Sequence, residues 1–108
     1  MSITPFTLVE TSPGKFSLLL STFSPADQIF DAAGMEGGGY SWEGIARFVI
    51  EEDEIQNVGL DPEGSMFCAY GEDRATLETL GERLASLFHD HTALAEAIAT
   101  IGPEGFDD

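Results

Sequence analysis

A single cysteine, Cys68, and only four basic residues stand in this chain of 108. One thiol excludes an intrachain disulfide and suits a reducing compartment. The bases Lys15, Arg47, Arg74 and Arg83 face 20 acids, for a formal net charge of −16. Phosphate backbones and anionic lipid surfaces are held by several Lys or Arg side chains, so nucleic acid and membrane are not expected partners. The longest purely aliphatic run is Leu18-Leu19-Leu20, far short of a bilayer span. The opening MSITPF has neither a basic stretch nor an apolar one, so the reading expects no signal peptide and a soluble cytoplasmic protein.

What is present points to a packed globule. Apolar residues make up 43% of the chain and include eight Phe, too many for a disordered polymer. The length suits one hydrophobic core, hence a single domain over 1–108 with its core at about 6–101 and a frayed acidic tail at 104–108.

Phe6–Thr11 reads as a strand, Ser12-Pro13-Gly14 as a turn and Lys15–Thr22 as a second strand, with Phe16, Leu18 and Leu20 on one face. Ser24-Pro25 reads as a helix start and Gly34 as its left-handed stop. Asn57–Leu60 is a short strand, Asp61–Gly64 a type I turn by composition, and Ser65–Tyr70 the returning strand. A third helix begins near Asp73 and carries Leu77, Leu80, Leu84, Leu87 and Phe88; His89-Asp90-His91 breaks it. A fourth carries Leu94, Ala97, Ile98 and Ile101 until Gly102-Pro103 stops it. The order ββααββαα predicts an α+β fold with an antiparallel sheet of about four strands. An offset of 50 residues aligns Gly14 with Gly64 and Leu18 with Cys68, which suggests two structural half-repeats.

Between the two halves lies GGGYSWEGIARFVIEEDE, Gly37 to Glu54. Trp42, Ile45, Ala46, Val49 and Ile50 repeat at helical spacing, so the stretch predicts a central core helix, capped by Ser41 and ending near Asp53. Three successive glycines imply a positive φ or close packing beneath Tyr40 and Trp42. If Trp42 opens the buried stripe, Tyr40 falls off it and is available at the surface. Glu51, Glu52, Asp53 and Glu54 gather where the helix ends, and carboxylates there oppose the helix dipole by about 0.3–1 kcal/mol each. Local stability does not explain them. They read either as a solvated acidic loop or as a negative patch for a basic partner.

Candidate chemistry is sparse. On a helix His89 and His91 would point about 200° apart and could not share a metal, and Cys68, mid-strand, reads as a small buried hydrophobe. The triple glycine follows a helix, lacks a GK[ST] ending and lies between Glu36 and Glu43, so it is no phosphate loop. No catalytic residues, metal ligands or cofactors are expected.

Two stretches together resemble a known family. Gly39-Tyr40-Ser41-Trp42-Glu43, leading into Ile45-Ala46, is similar to the Gly-Tyr-x-Trp-Glu stretch that opens a helix in the immunity protein 51 family of bacterial polymorphic toxin systems. Leu60-Asp61-Pro62-Glu63-Gly64-Ser65-Met66-Phe67-Cys68-Ala69-Tyr70, then Asp73 and Leu77, looks like that family's Asp-x-Glu turn, Phe-containing strand and following helix. The resemblance implies a small α+β protein that binds and neutralises a cognate toxin and carries no catalytic residues. It implies scaffold positions at Gly39, Tyr40, Trp42, Asp61, Glu63 and Phe67. With the acidity, it places the expected toxin contact, for a basic toxin with a nuclease among the candidates, at Glu36, Tyr40, Glu43, Glu51, Glu52, Asp53 and Glu54. Alternatives are a small metal-dependent hydrolase using the acidic cluster, or a homo-oligomeric interaction module.

Overall fold

A computed structural model describes residues 2–106. The elements follow the expected order: β1 (Thr7–Ser12), β2 (Lys15–Leu20), α1 (Asp27–Ala32), α2 (Gly39–Glu52), β3 (Gly59–Leu60), β4 (Phe67–Gly71), α3 (Arg74–His89) and α4 (His91–Ile101), then a 3₁₀ turn over Pro103–Gly105. The strands form one antiparallel sheet in the order β1-β2-β4-β3. The fold is α+β, as the sequence pattern predicts.

Alternation decides which face of the sheet is covered. Leu18 and Leu20 of β2 and Phe67 and Ala69 of β4 are buried, and the register sets Leu18 beside Ala69 and Leu20 beside Phe67. Helices α2 and α3 pack on this face, and α4 lies against α1, α2 and α3. Of the expected stripe of α2, Trp42, Ile45, Ala46 and Val49 are fully buried and Ile50 is partly buried at its edge. Trp42 anchors an aromatic cluster, stacked on Phe88 at 5.7 Å between centroids and edge-on to Phe6 at 5.7 Å and Phe30 at 5.6 Å. Its indole Nε1 is buried with no acceptor among the described residues. Burying so large a ring contributes about 4–6 kcal/mol at 25 cal/mol per Å², against about 1–3 kcal/mol for an unpaired donor. The ring wins.

The structure moves several local boundaries. Ser41 does not cap α2. The helix begins two residues earlier, with Gly38 as N-cap, and Ser41 is buried inside its first turn, where Oγ accepts from the Gly37 N–H at 2.9 Å. Ser24-Pro25 does not open α1 either, which starts at Asp27 with no side-chain cap, although Gly34 stops it at φ +83° as expected. Asp73 and Asp90 do cap, accepting from Ala75 and Thr76 and from Ala93 respectively. Asp90 is the single residue between α3 and α4.

The turn read at Asp61–Gly64 lies two residues later, where Glu63 and Met66 exchange backbone hydrogen bonds at 2.7 and 3.1 Å around Gly64-Ser65. The half-repeat offset is also wrong by parity. Leu18 is buried while Cys68, 50 residues on, is on the opposite face, and a one-residue slip in a strand exchanges its faces.

The core does not end at 101. Phe106 is buried, its ring edge-on to Phe30 at 6.3 Å, and it lies over Gly44, where a Cβ would come within 2.4 Å of it. The expected frayed tail is thus docked as far as Phe106, held by burial of that ring together with the backbone bonds from Gly105 to Gly102 and from Phe106 to Pro103. Asp107 and Asp108 lie outside the described residues.

Candidate functional site

Helix α2 carries most of the candidate residues, and its two ends differ in construction. At the N-terminal end the three glycines let backbone meet backbone. Gly37 has φ +81°, a conformation glycine adopts without steric cost. A Cβ on Gly38 would stand 2.5 Å from the Gly64 carbonyl oxygen, and one on Gly39 would stand 1.8 Å from that of Glu63 and 2.5 Å from that of Met66. The Gly39 N–H donates to the Gly64 carbonyl at 3.2 Å. The start of α2 is therefore wedged against the β3–β4 hairpin, and Tyr40 emerges beside that joint, 41% exposed.

At the C-terminal end Glu51, Glu52, Asp53 and Glu54 are exposed. Asp53 Oδ2 accepts from Arg83 Nε of α3 at 2.8 Å, which ties the end of α2 to its neighbour. Glu43, one turn into the helix, is half-buried and pairs with Arg47 at 3.1 Å. Arg74 pairs with Glu78 at 3.0 Å, so each of the three arginines is neutralised within the chain. Glu36 is exposed near the N-terminal end. At about 1.5 Å per residue the 14-residue helix separates Glu36 and Tyr40 from the acidic run by about 20 Å. The structure thus places the expected contact residues in two groups and does not bring them together.

Cys68 corrects the sequence reading. It is half-buried on the open face of the sheet and not part of the core. Burial pushes its thiol pKa up, a hydrogen bond with Ser17 lowers it, and the Asp61 carboxylate raises it. A thiol held protonated is a poor nucleophile. His89 Nε2 lies 2.7 Å from the Thr4 carbonyl oxygen and tethers the N-terminal segment. Among the described residues no three His, Cys, Asp or Glu side chains form a group able to hold a metal ion, and no helix is long and apolar enough to cross a membrane.

One concave feature escaped the sequence reading. A groove of about 720 Å³ opens at one end of the sheet, between the β1–β2 turn, the Asn57–Gly59 segment and the start of α3. Tyr70 lines it and is 49% exposed. The signal was in β4: with Phe67 and Ala69 turned inward, alternation sends Tyr70 outward.

The two sequence stretches meet in space, Gly39 against Glu63 and Gly64. A family model for immunity protein 51 matches residues 6–103. The chain belongs to the immunity protein 51 family. No curated protein and no solved structure matches it significantly. Of the residues that carry the likeness, Gly39, Trp42 and Phe67 are buried, while Tyr40, Asp61 and Glu63 are exposed around the hairpin. The family stretches therefore coincide with the wedge of α2 against β3–β4.

Proposed function

We propose that this protein is a non-catalytic immunity protein of a bacterial polymorphic toxin system, a single-domain inhibitor that binds and neutralises a cognate toxin in the cytoplasm. The observation that carries the reading is the family match over residues 6–103. The net charge of −16 supports an acidic contact surface and a basic toxin, a nuclease among the candidates, with carboxylates standing where phosphates would bind. The internal pairing of Arg47, Arg74 and Arg83 leaves most of the 20 acids uncompensated. Glu36, Tyr40, Glu43 and Glu51–Glu54 are the residues proposed to contribute to that surface.

The test is titration of the purified chain against the toxin domain encoded beside its gene, at low and at high salt. Tight binding that weakens as salt rises is the expected result, because exposed charges are screened beyond about 8 Å at physiological ionic strength. Failure to bind at either salt overturns the immunity reading. Tight binding indifferent to salt keeps the inhibitor and removes the acidic surface as its means of contact.

A further inference from the structure

Two aromatic residues, Phe16 and Tyr70, line the groove at the end of the sheet, and Tyr70 is the more exposed of them. The phenol end of Tyr70 lies across Gly59, its cross-strand partner, where a Cβ would stand 2.2 Å from Cζ, 2.6 Å from Cε2 and 2.5 Å from the hydroxyl oxygen. Only glycine at 59 permits that contact, which fixes the outer end of the ring while the side chain stays half exposed. At Gly71 the missing side chain lets the Asn57 carbonyl oxygen come close, 3.0 Å from where a Cβ would stand. Beyond Gly71 lie Glu72, exposed, and Asp73. Both cap bonds of Asp73 use Oδ1, which leaves Oδ2 without a partner among the described residues. Lys15 also lines the groove, and the register that sets Phe16 beside Gly71 brings it next to Glu72 one step on. The wall charges sum to one negative, on a chain of −16.

An aromatic face held in place beside carboxylate oxygens is the chemistry that receives a cationic side chain. A guanidinium or ammonium head gains from the ring quadrupole, and the carboxylates supply charge-assisted acceptors. Because Tyr70 is already positioned by Gly59, little side-chain entropy remains to be lost on binding. The same corner already holds one such contact, Arg74 Cζ at 5.9 Å from the Phe16 ring centroid.

We propose that this groove is a docking site for a basic side chain, arginine or lysine, presented by a surface loop of the toxin, its head seated on Tyr70 and facing Glu72 and Asp73. The proposal rests on the immunity reading above and adds to its contact surface a groove whose lining begins at Asn57, three residues beyond Glu54.

The test uses the full chain and the toxin domain encoded beside its gene. Tyr70→Ala is expected to weaken binding by about 30-fold or more, as a hot-spot aromatic does, while Tyr70→Phe, which keeps the ring, stays within about threefold. Glu72→Arg is expected to weaken binding and to reduce its salt dependence. Lys15→Glu removes the opposing charge and is expected to tighten binding, a gain that misfolding cannot produce. If the wild-type chain binds and the Tyr70→Ala, Glu72→Arg and Lys15→Glu variants all stay within twofold of it, the groove is not the contact and the immunity reading stands. If the wild-type chain does not bind, both fall. Light scattering without toxin covers the remaining occupant: a dimer that Tyr70→Ala converts to monomer would assign the groove to a second copy and overturn the proposal.

Discussion

At its first turn α2 is pressed against the β3–β4 hairpin through Gly38 and Gly39, with contacts that no side chain could survive. At its last turn the same helix ends in four exposed acids, of which Asp53 alone, among the described residues, is ion-paired to another element. The first end is made of backbone and aromatic rings, the second of solvated charge. Geometry at the first end is over-determined, because Trp42 is enclosed by Phe6, Phe30 and Phe88. Little at the second resists substitution. The contrast shows where this fold tolerates change: Gly39, Trp42 and Phe67 are buried and hold the joint, while the acids at the other end are exposed.

Substitutions at the two ends sharpen this contrast, and the wedge should show the largest effects. Trp42→Ala is expected to destabilise by about 3–5 kcal/mol, measured by urea unfolding. Gly39→Ala should follow at about 2–3 kcal/mol, since the obstructing atoms are carbonyl oxygens of Glu63 and Met66 and not flexible side-chain ends. A loss below about 0.5 kcal/mol for Gly39→Ala would mean that the hairpin yields and the wedge is not rigid.

The acidic end should respond far less. A double-mutant cycle on Asp53 and Arg83 is expected to give a coupling of about 1 kcal/mol or less, because both side chains are partly solvated. Replacing Glu51, Glu52 and Glu54 together by Lys should leave stability unchanged or raise it by about 1 kcal/mol, since cations suit a helix C-terminus better than carboxylates. Marked destabilisation by that triple change would show the acids to be structural and erase the contrast.

The smallest expected effect concerns Cys68. Its folded pKa is raised above the ordinary value of 9.0 chiefly by burial, so between the unfolded and folded values the native state keeps a proton that the unfolded state has lost. The stabilisation is complete below the unfolded value and is lost as pH rises through the folded one. Stability should therefore fall more gently above pH 9 in Cys68→Ser than in the parent chain, and the native thiol should react with a disulfide reagent more slowly than a free one. Equal slopes in the two proteins would remove the burial effect.

Much of this was legible in the residues because it depends on local pattern. The stripe Trp42, Ile45, Ala46 and Val49 follows from a 3.6-residue period, and the acid run from simple adjacency. The glycine stretch announced either a positive φ or a close approach, and it supplies both, at Gly37 and at Gly38–Gly39. Other features had no local signal. Ser41 has the chemistry of a cap but sits inside the helix, because the wedge against the hairpin starts α2 at Gly39. Phe106 looked like tail because nothing nearby in sequence reveals that Gly44 leaves space for its ring.

The α+β order, the central helix, the excess of negative charge and the family follow from the residues alone, since these rest on periodicity, composition and short spacing. Three features come from packing instead: the two family stretches meet at Gly39 and Glu63, the acid run lies about 20 Å from Tyr40, and Tyr70 lines an open groove. Each of those is a contact or a separation between segments distant in the chain, set by sheet register and helix packing, which no local window of residues encodes.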